Sequence, residues 1–223
     1  DPAVQVLVNG INAMLGNYGG TINPNTPVHY RQGNDLDMAN FAKDLNGGRI
    51  GAVIFFNCNP VYDSAEGSAI AAGLAKAQLT VSTSDRMDET SAAVEYVAPD
   101  HHYLEQWNDV ELREGHFSLI QPTISPLFST RQAPESFLKW AGNPIEYYAY
   151  MQINWRESFF TQQTDTSNFQ MFWDKALFDG VYETGGNTNT YSYDYAAAST
   201  AGTSVSQNYK KADNGFELAL YTK

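Results

Sequence analysis

The chain has 223 residues, 13 basic and 25 acidic, for a formal net charge of -12; without a basic run it lacks the clustered Lys and Arg that nucleic acid demands. A single cysteine excludes an internal disulfide and any Cys-rich zinc or iron-sulfur site built from these residues. No apolar run approaches the roughly 18 residues that span a bilayer, so no direct membrane insertion is expected.

In chain order, Val4, Leu7, Val8, Ile11, Met14 and Leu15 recur at helical spacing, and Gly16 stands where a helix would end. Residues 17–32, rich in Gly, Asn, Pro and Thr, read as a loop. Asn34 or Asp35 can cap a second helix, whose apolar stripe is Leu36, Phe41, Ala42 and Leu45 and whose stop is Gly47-Gly48. Then comes an apolar run, Ile50-Gly-Ala-Val-Ile-Phe-Phe56, a polar turn, Asn57-Cys-Asn-Pro-Val-Tyr-Asp63, and an Ala-rich helical segment at 64–77. Asp63 with Glu66 three residues on is a capping-box-like start to that helix, which gives both acids a structural role. The arrangement repeats as Leu79-Thr-Val-Ser-Thr83, Ser84-Asp-Arg-Met-Asp88 and a helical 89–94. Two such units predict an α/β fold, a Rossmann-like parallel or mixed sheet with crossover helices.

After Pro99 the pattern is irregular until a strand at 117–121 and a Pro-rich run to Pro126. Pro134-Glu-Ser-Phe-Leu-Lys-Trp140 predicts a helix with its proline in the first turn. Two aromatic helices follow at 145–160 and 169–178, the second ended by Asp179-Gly180. The Thr-, Ser-, Asn-, Tyr- and Ala-rich residues 184–208 read as a long mobile loop or linker. Phe216, Leu218 and Leu220 alternate with Glu217, Ala219 and Tyr221, so the C-terminal helical and looped extension is expected to end in a strand. The expected organisation is an N-terminal helix and loop at 1–33, an α/β domain at 34–142 and the extension at 143–223, together one compact unit. The abrupt helix-like start at Asp1-Pro2 suggests a piece of a longer chain.

In open parallel sheets ligands sit beyond the carboxyl ends of the strands. That places Asn57, Asn59, Ser82, Ser84 and Asp85 around a crevice, although turn formation and helix capping account for the same residue types. Cys58 lies just after a strand, where a small packed or crevice-lining residue is the simpler reading than a metal ligand. Adjacent His101 and His102 point to opposite sides of an extended segment, and His29 and His116 are remote in sequence, so no metal cluster is expected. No nucleophile-elbow or phosphate-loop motif is present, and no catalytic residue is assigned.

The segment Glu89-Thr-Ser-Ala-Ala-Val-Glu-Tyr-Val-Ala-Pro99, followed by Glu105, Glu114-Gly115 and Gln121, resembles the signature of the molybdopterin-dependent oxidoreductase superfamily. Leu15-Gly-Asn-Tyr-Gly-Gly-Thr-Ile22 is similar to a glycine turn of the same superfamily. A narrower likeness rests on Asn57-Cys-Asn-Pro-Val-Tyr-Asp63, Tyr103-Leu-Glu-Gln-Trp-Asn-Asp109 and Gln121-Pro-Thr-Ile-Ser-Pro-Leu127. These look like the large iron-sulfur subunit of bacterial alternative complex III, a quinol-oxidising respiratory assembly. The resemblance implies a half that holds no molybdenum cofactor and iron-sulfur clusters elsewhere in the full chain. Other subunits of a respiratory complex would be its partners, on the periplasmic side of the inner membrane.

Departures from the superfamily pattern bear on that cofactor. Asn108-Asp109 replaces the usual Gly-Thr, which restricts backbone approach and adds a charge that repels phosphate. His116 replaces the Arg of a Glu-Gly-Arg turn and does not reproduce its planar, always-charged contact. Two other functions remain open: a domain of an active molybdenum enzyme cradling molybdopterin guanine dinucleotide, and a free-standing small-molecule binding protein.

Overall fold

A computed structural model of the chain describes residues 2–30, 32–185, 192–209 and Phe216. Two compact units divide it, one joining Asp1–Pro27 with Gly186–Lys223 and the other running Val28–Gly185.

Helix α1 (Pro2–Met14) ends at Gly16, whose φ of 67° is the left-handed conformation that glycine adopts without strain. The glycine turn beyond it is self-contained, because the Asn17 carbonyl accepts the N–H groups of Gly20, Thr21 and Ile22. In the second unit, the Asn34 side chain caps α2 (Asp35–Asn46) by accepting from the Leu36 N–H. Strand β1 (Ala52–Phe55) follows, then the short α3 (Pro60–Asp63), α4 (Gly67–Leu74), β2 (Leu79–Ser82), a 3-10 turn at Ser91–Ala93 and β3 (Tyr96–Val97). The three strands form a parallel sheet in the order β1-β2-β3, with Phe55 beside Ser82 and Ser82 beside Val97.

The apolar run foreseen at 50–56 is that first strand, and it buries one face. Val53 and Phe55 pack with Leu45, Ile70 and Leu74, whereas Ile54 is 45 % exposed. Gly73 lets α4 approach α2, since a Cβ there would meet Leu45 Cγ at 2.9 Å. The capping box expected at Asp63 and Glu66 does not form: Asp63 closes α3, and Glu66 precedes α4 with no side-chain cap bond. Ser64 takes the local role instead, its Oγ accepting the Glu66 N–H. The helix expected at 89–94 is only the 3-10 turn: Asp88 Oδ1 accepts the Ser91 N–H, and the Ala93 N–H closes a tighter turn on the Thr90 carbonyl.

A second, antiparallel sheet contains β4 (Asn108–Arg113), β5 (His116–Ile120) and a third strand far along the chain. β4 was not foreseen, and a register shift between Glu111 and Arg113 interrupts its alternation. Helices α5 (Ala133–Trp140), α6 (Tyr147–Ser158) and α7 (Phe169–Asp179) fall where proline and aromatic periodicity predict them. Asn168 Oδ1 caps α7, and Gly180, at φ 70°, turns the chain into the third strand, β6 (Val181–Glu183). Trp155 and Trp173, both fully buried, meet edge to face at 5.4 Å and pack with Met151 and Phe172 against Phe117, Leu119 and Tyr182 of this sheet.

The run at 184–208 is not a loop throughout. Residues Tyr195–Asn208 form helix α8, started by Asp194 Oδ1 accepting from the Ala196 N–H and favoured by the alanines at 196–198. Within its unit α8 packs on α1, and the nearby Tyr193 hydroxyl donates to the Val6 carbonyl at 2.7 Å, over Gly10. The strand expected from the alternation at 216–221 lies, apart from Phe216, outside the described residues.

Candidate ligand crevice at the strand ends

The carboxyl ends of β1, β2 and β3 open into a crevice of about 670 Å³, within the range of small-molecule sites. Its wall comes from the segments just after each strand: Phe56 to Asn59, Thr83 to Asp88 and Asp100 to Tyr103, with Asp63, Gln106 and Asn108. Of the residues singled out in the sequence, Asn57, Asn59, Ser84 and Asp85 line it. Ser82 does not. It is 1 % exposed, and its Oγ lies 2.9 Å from Ser91 Oγ.

Asn57 has a φ of 54°, a left-handed conformation seldom taken by residues other than Gly, Asn and Asp. The chain therefore turns sharply off β1 and lays the 57–59 segment along the rim. Asn59 Oδ1 accepts from both the N–H and the hydroxyl of Thr90, at 3.1 and 2.6 Å, and its Nδ2 donates to Glu89 Oε2 at 2.8 Å. Thr90 Oγ1 in turn accepts the Val61 N–H. This web ties the first loop to the second and fixes that side of the crevice.

Acid dominates the lining. Among the described residues the lining holds four carboxyls, Asp63, Asp85, Asp88 and Asp100, and one guanidinium, that of Arg86, which binds Asp85 through two hydrogen bonds of 2.8 and 3.0 Å. Those bonds hold the Asp85 carboxyl below its usual pKa. Asp100 shifts the other way: burial raises its pKa against the Ala133 and His101 N–H groups that it accepts. Burial likewise pushes the Cys58 thiol up, against a hydrogen bond from the Phe56 backbone, and Asp63 and Asp88 add to the rise. A protonated thiol is a poor nucleophile and metal ligand. Both ring nitrogens of His101 are buried with no hydrogen-bond partner among the described residues.

A pterin dinucleotide would bring a pyrophosphate to this wall. Recognition of such a group relies on Arg, Lys or converging N–H donors, whereas here the carboxylates repel it and the one guanidinium is engaged by Asp85. The charge of the lining does not fit that cofactor. Two residues thought to face it do not: Asp109 accepts from the Trp155 indole at 2.6 Å, and His116 Nδ1 lies 2.8 Å from Glu183 Oε1 on the antiparallel sheet. Of that pair Asn108–Asp109, only Asn108 reaches the crevice, with the Tyr147 hydroxyl donating to its Oδ1 at 3.4 Å. Burial, and then Asp109, push that phenol up to about 12.

Asp63, Asp100 and His101 were not singled out as crevice residues in the sequence. The signal was the Pro99-Asp100 turn behind β3, a two-residue strand too short to show a period.

An α/β domain with a polar crevice beyond its parallel strands is the class that these features define. No protein-family model matches the chain. Over 95 residues, 41 % of the chain, it is 33 % identical to the menaquinone reductase molybdopterin-binding-like subunit of Nitratidesulfovibrio vulgaris. The chain spans 14 % of the length of that relative. Among solved structures, acetylene hydratase from Pelobacter acetylenicus is similar over 65 % of this chain and 21 % of its own, with a TM-score of 0.48 and 16 % identity. The sequence match makes the chain a partial homologue of the reductase subunit. It supports the molybdopterin oxidoreductase superfamily at the broad level and does not reach the narrower alternative-complex-III likeness.

Proposed function

We propose that this chain is a scaffold domain, without molybdenum cofactor, in a subunit of a membrane-associated respiratory oxidoreductase that handles quinones. The homologous subunit belongs to a menaquinone reductase, and the motifs at 57–63, 103–109 and 121–127 resemble alternative complex III. The observation that carries the reading is the acid-lined crevice, whose lone arginine is held by Asp85. In this reading iron-sulfur clusters elsewhere in a longer chain carry the electrons. The domain presents acidic and aromatic surface to neighbouring subunits on the periplasmic side. Metal analysis and nucleotide extraction on the natively purified complex test it. The expected result is molybdenum and guanine nucleotide far below one per subunit, and stoichiometric amounts of both would overturn it.

One observation favours a second reading, a domain that cradles molybdopterin guanine dinucleotide in an active enzyme. Both ring nitrogens of His101, a residue of the crevice lining, are buried without a partner among the described residues, and a ligand would satisfy them once the ring turns toward the crevice. The same extraction separates the two.

A further inference from the structure

Apart from the strand-end crevice, three side chains converge on the bulged hairpin of the antiparallel sheet. We propose that His29, Glu111 and Glu114 form a binding site for a divalent cation of the zinc class. The inference does not depend on the function proposed above.

The backbone brings these residues together across a long stretch of sequence. Val28 forms an isolated antiparallel bridge with Arg113, and the His29 N–H donates to the Leu112 carbonyl at 2.8 Å. The bulge between Glu111 and Arg113 breaks the two-residue alternation of β4, and Gly115, at φ 74°, closes the turn. Bulges of this kind re-aim side chains, and this one leaves Glu111 and Glu114 flanking the same imidazole. His29 Nε2 is 3.2 Å from Glu114 Oε2, and Nδ1 is 3.9 Å from Glu111 Oε2. One ligand atom from each residue lies within 4.8 Å of the other two.

Donors bound to one zinc at about 2.0–2.2 Å in tetrahedral geometry sit roughly 3.3 Å apart. The His29–Glu114 pair already has that separation at Nε2; Glu111 Oε2 lies 3.9 Å from the other ring nitrogen, Nδ1, so the Glu111 side chain has to swing toward Nε2 to share the metal. Glu111 is partly oriented for it, because its Oε1 accepts the Gly115 N–H at 2.8 Å and leaves Oε2 toward the histidine. The side chains are 24 to 34 % exposed, so a cation has access and water can complete the shell. One imidazole nitrogen with two carboxylate oxygens suits borderline cations better than magnesium or calcium, which prefer all-oxygen shells. Among the described residues this is the one such grouping of three.

Zinc titration of the full chain by calorimetry, with cobalt absorbance as an optical reporter, tests the site. Wild type is expected to bind one equivalent that His29→Gln abolishes and that Glu114→Gln weakens at least about tenfold. Cys58→Ser and His101→Gln, in the strand-end crevice, should leave that equivalent intact. In NMR spectra of unmutated protein, zinc should shift the His29 imidazole resonances, a readout that survives if a variant fails to fold. Absence of zinc binding at tens of micromolar, an unshifted His29 ring, or equal binding in folded His29→Gln would overturn the assignment.

Discussion

The Asn59 side chain is bonded to Thr90, in the loop after the next parallel strand, and does not cap the helix that begins beside it. Its Oδ1 accepts both the Thr90 N–H and the Thr90 hydroxyl, while α3 starts without a side-chain cap. Thr90 is fully buried, so its N–H has no water to turn to. Asn59→Ala is expected to cost about 2 kcal/mol, the usual penalty for stranding a buried donor. Asn59→Asp keeps the acceptor but sets a carboxylate beside Glu89, and should fall between the two. Urea midpoints at constant m-value check the order; an alanine variant within about 0.5 kcal/mol of wild type would show that the link does not hold the rim.

Glycine governs how closely the helices approach the first sheet's core. A Cβ at Gly67 would run into the Val61 backbone carbonyl, and one at Gly73 would meet Leu45 Cγ at 2.9 Å and the Asn46 nitrogen at 3.1 Å. Backbone cannot yield as a side chain can, so Gly67→Ala should be the more damaging, at about 3 kcal/mol, with Gly73→Ala nearer 1–2 kcal/mol. Gly51 has nothing within 4 Å and serves as the control, with Gly51→Ala close to neutral. Thermal melts of the three variants decide the ranking.

The same residues show what could be read in the sequence. The Ile50–Phe56 run gave the sheet and Phe41, Ala42 and Leu45 gave α2, because their burial is local and periodic, whereas Leu36, read into the same stripe, is 67 % exposed in the first turn. Asn57, Asn59, Ser84 and Asp85 could be placed at the crevice because strand ends dictate it. β4 was hidden, since its bulge breaks the alternation and its half-buried residues lack an apolar stripe. Helix α8 was hidden because Ser, Thr and Asn dilute a helix that its alanines and the Asp194 cap sustain. His29 meets Glu111 and Glu114 only through a strand bridge, which no spacing in the sequence records.

Two carboxyls near the crevice should respond oppositely to pH. Glu105 lies below its ordinary pKa, chiefly because it accepts the Leu127 N–H at 3.0 Å, and also that of His102 at 3.1 Å. A lowered folded-state value gives stability that is complete above the ordinary carboxylate range and disappears as pH falls through the lowered one. Burial raises Asp100, so its contribution runs the other way, greatest below its unfolded pKa and declining as pH rises through the raised value. Glu105→Gln should therefore lower Tm at about pH 7 and converge on wild type near about pH 3. Asp100→Asn keeps an acceptor for His101 and Ala133, and should match or exceed wild type at about pH 7 while gaining nothing near about pH 3. Parallel slopes for both variants would contradict these assignments.

Both buried indoles of the aromatic core are anchored by hydrogen bonds, Trp173 to the Tyr148 hydroxyl and Trp155 to a carboxylate. Trp155 is fully buried, and its indole N–H donates to Asp109 Oδ2 at 2.6 Å, a charge-assisted bond between α6 and β4. Removing the carboxylate leaves a buried donor unsatisfied, so Asp109→Ala should cost about 1–3 kcal/mol. Trp155→Phe removes the donor as well as the bond, at the expense of packing against Trp173 and Phe172. Once the indole is gone, a further Asp109→Ala change should be nearly silent, giving a coupling of about 1–2 kcal/mol in a double-mutant cycle. Asp109 faces this core and not the strand-end crevice, so its loss should leave any crevice ligand's affinity unchanged. A coupling near zero would mean that the carboxylate contributes little to docking α6 on the antiparallel sheet. An altered crevice affinity would return Asp109 to the phosphate-repelling position expected from the sequence.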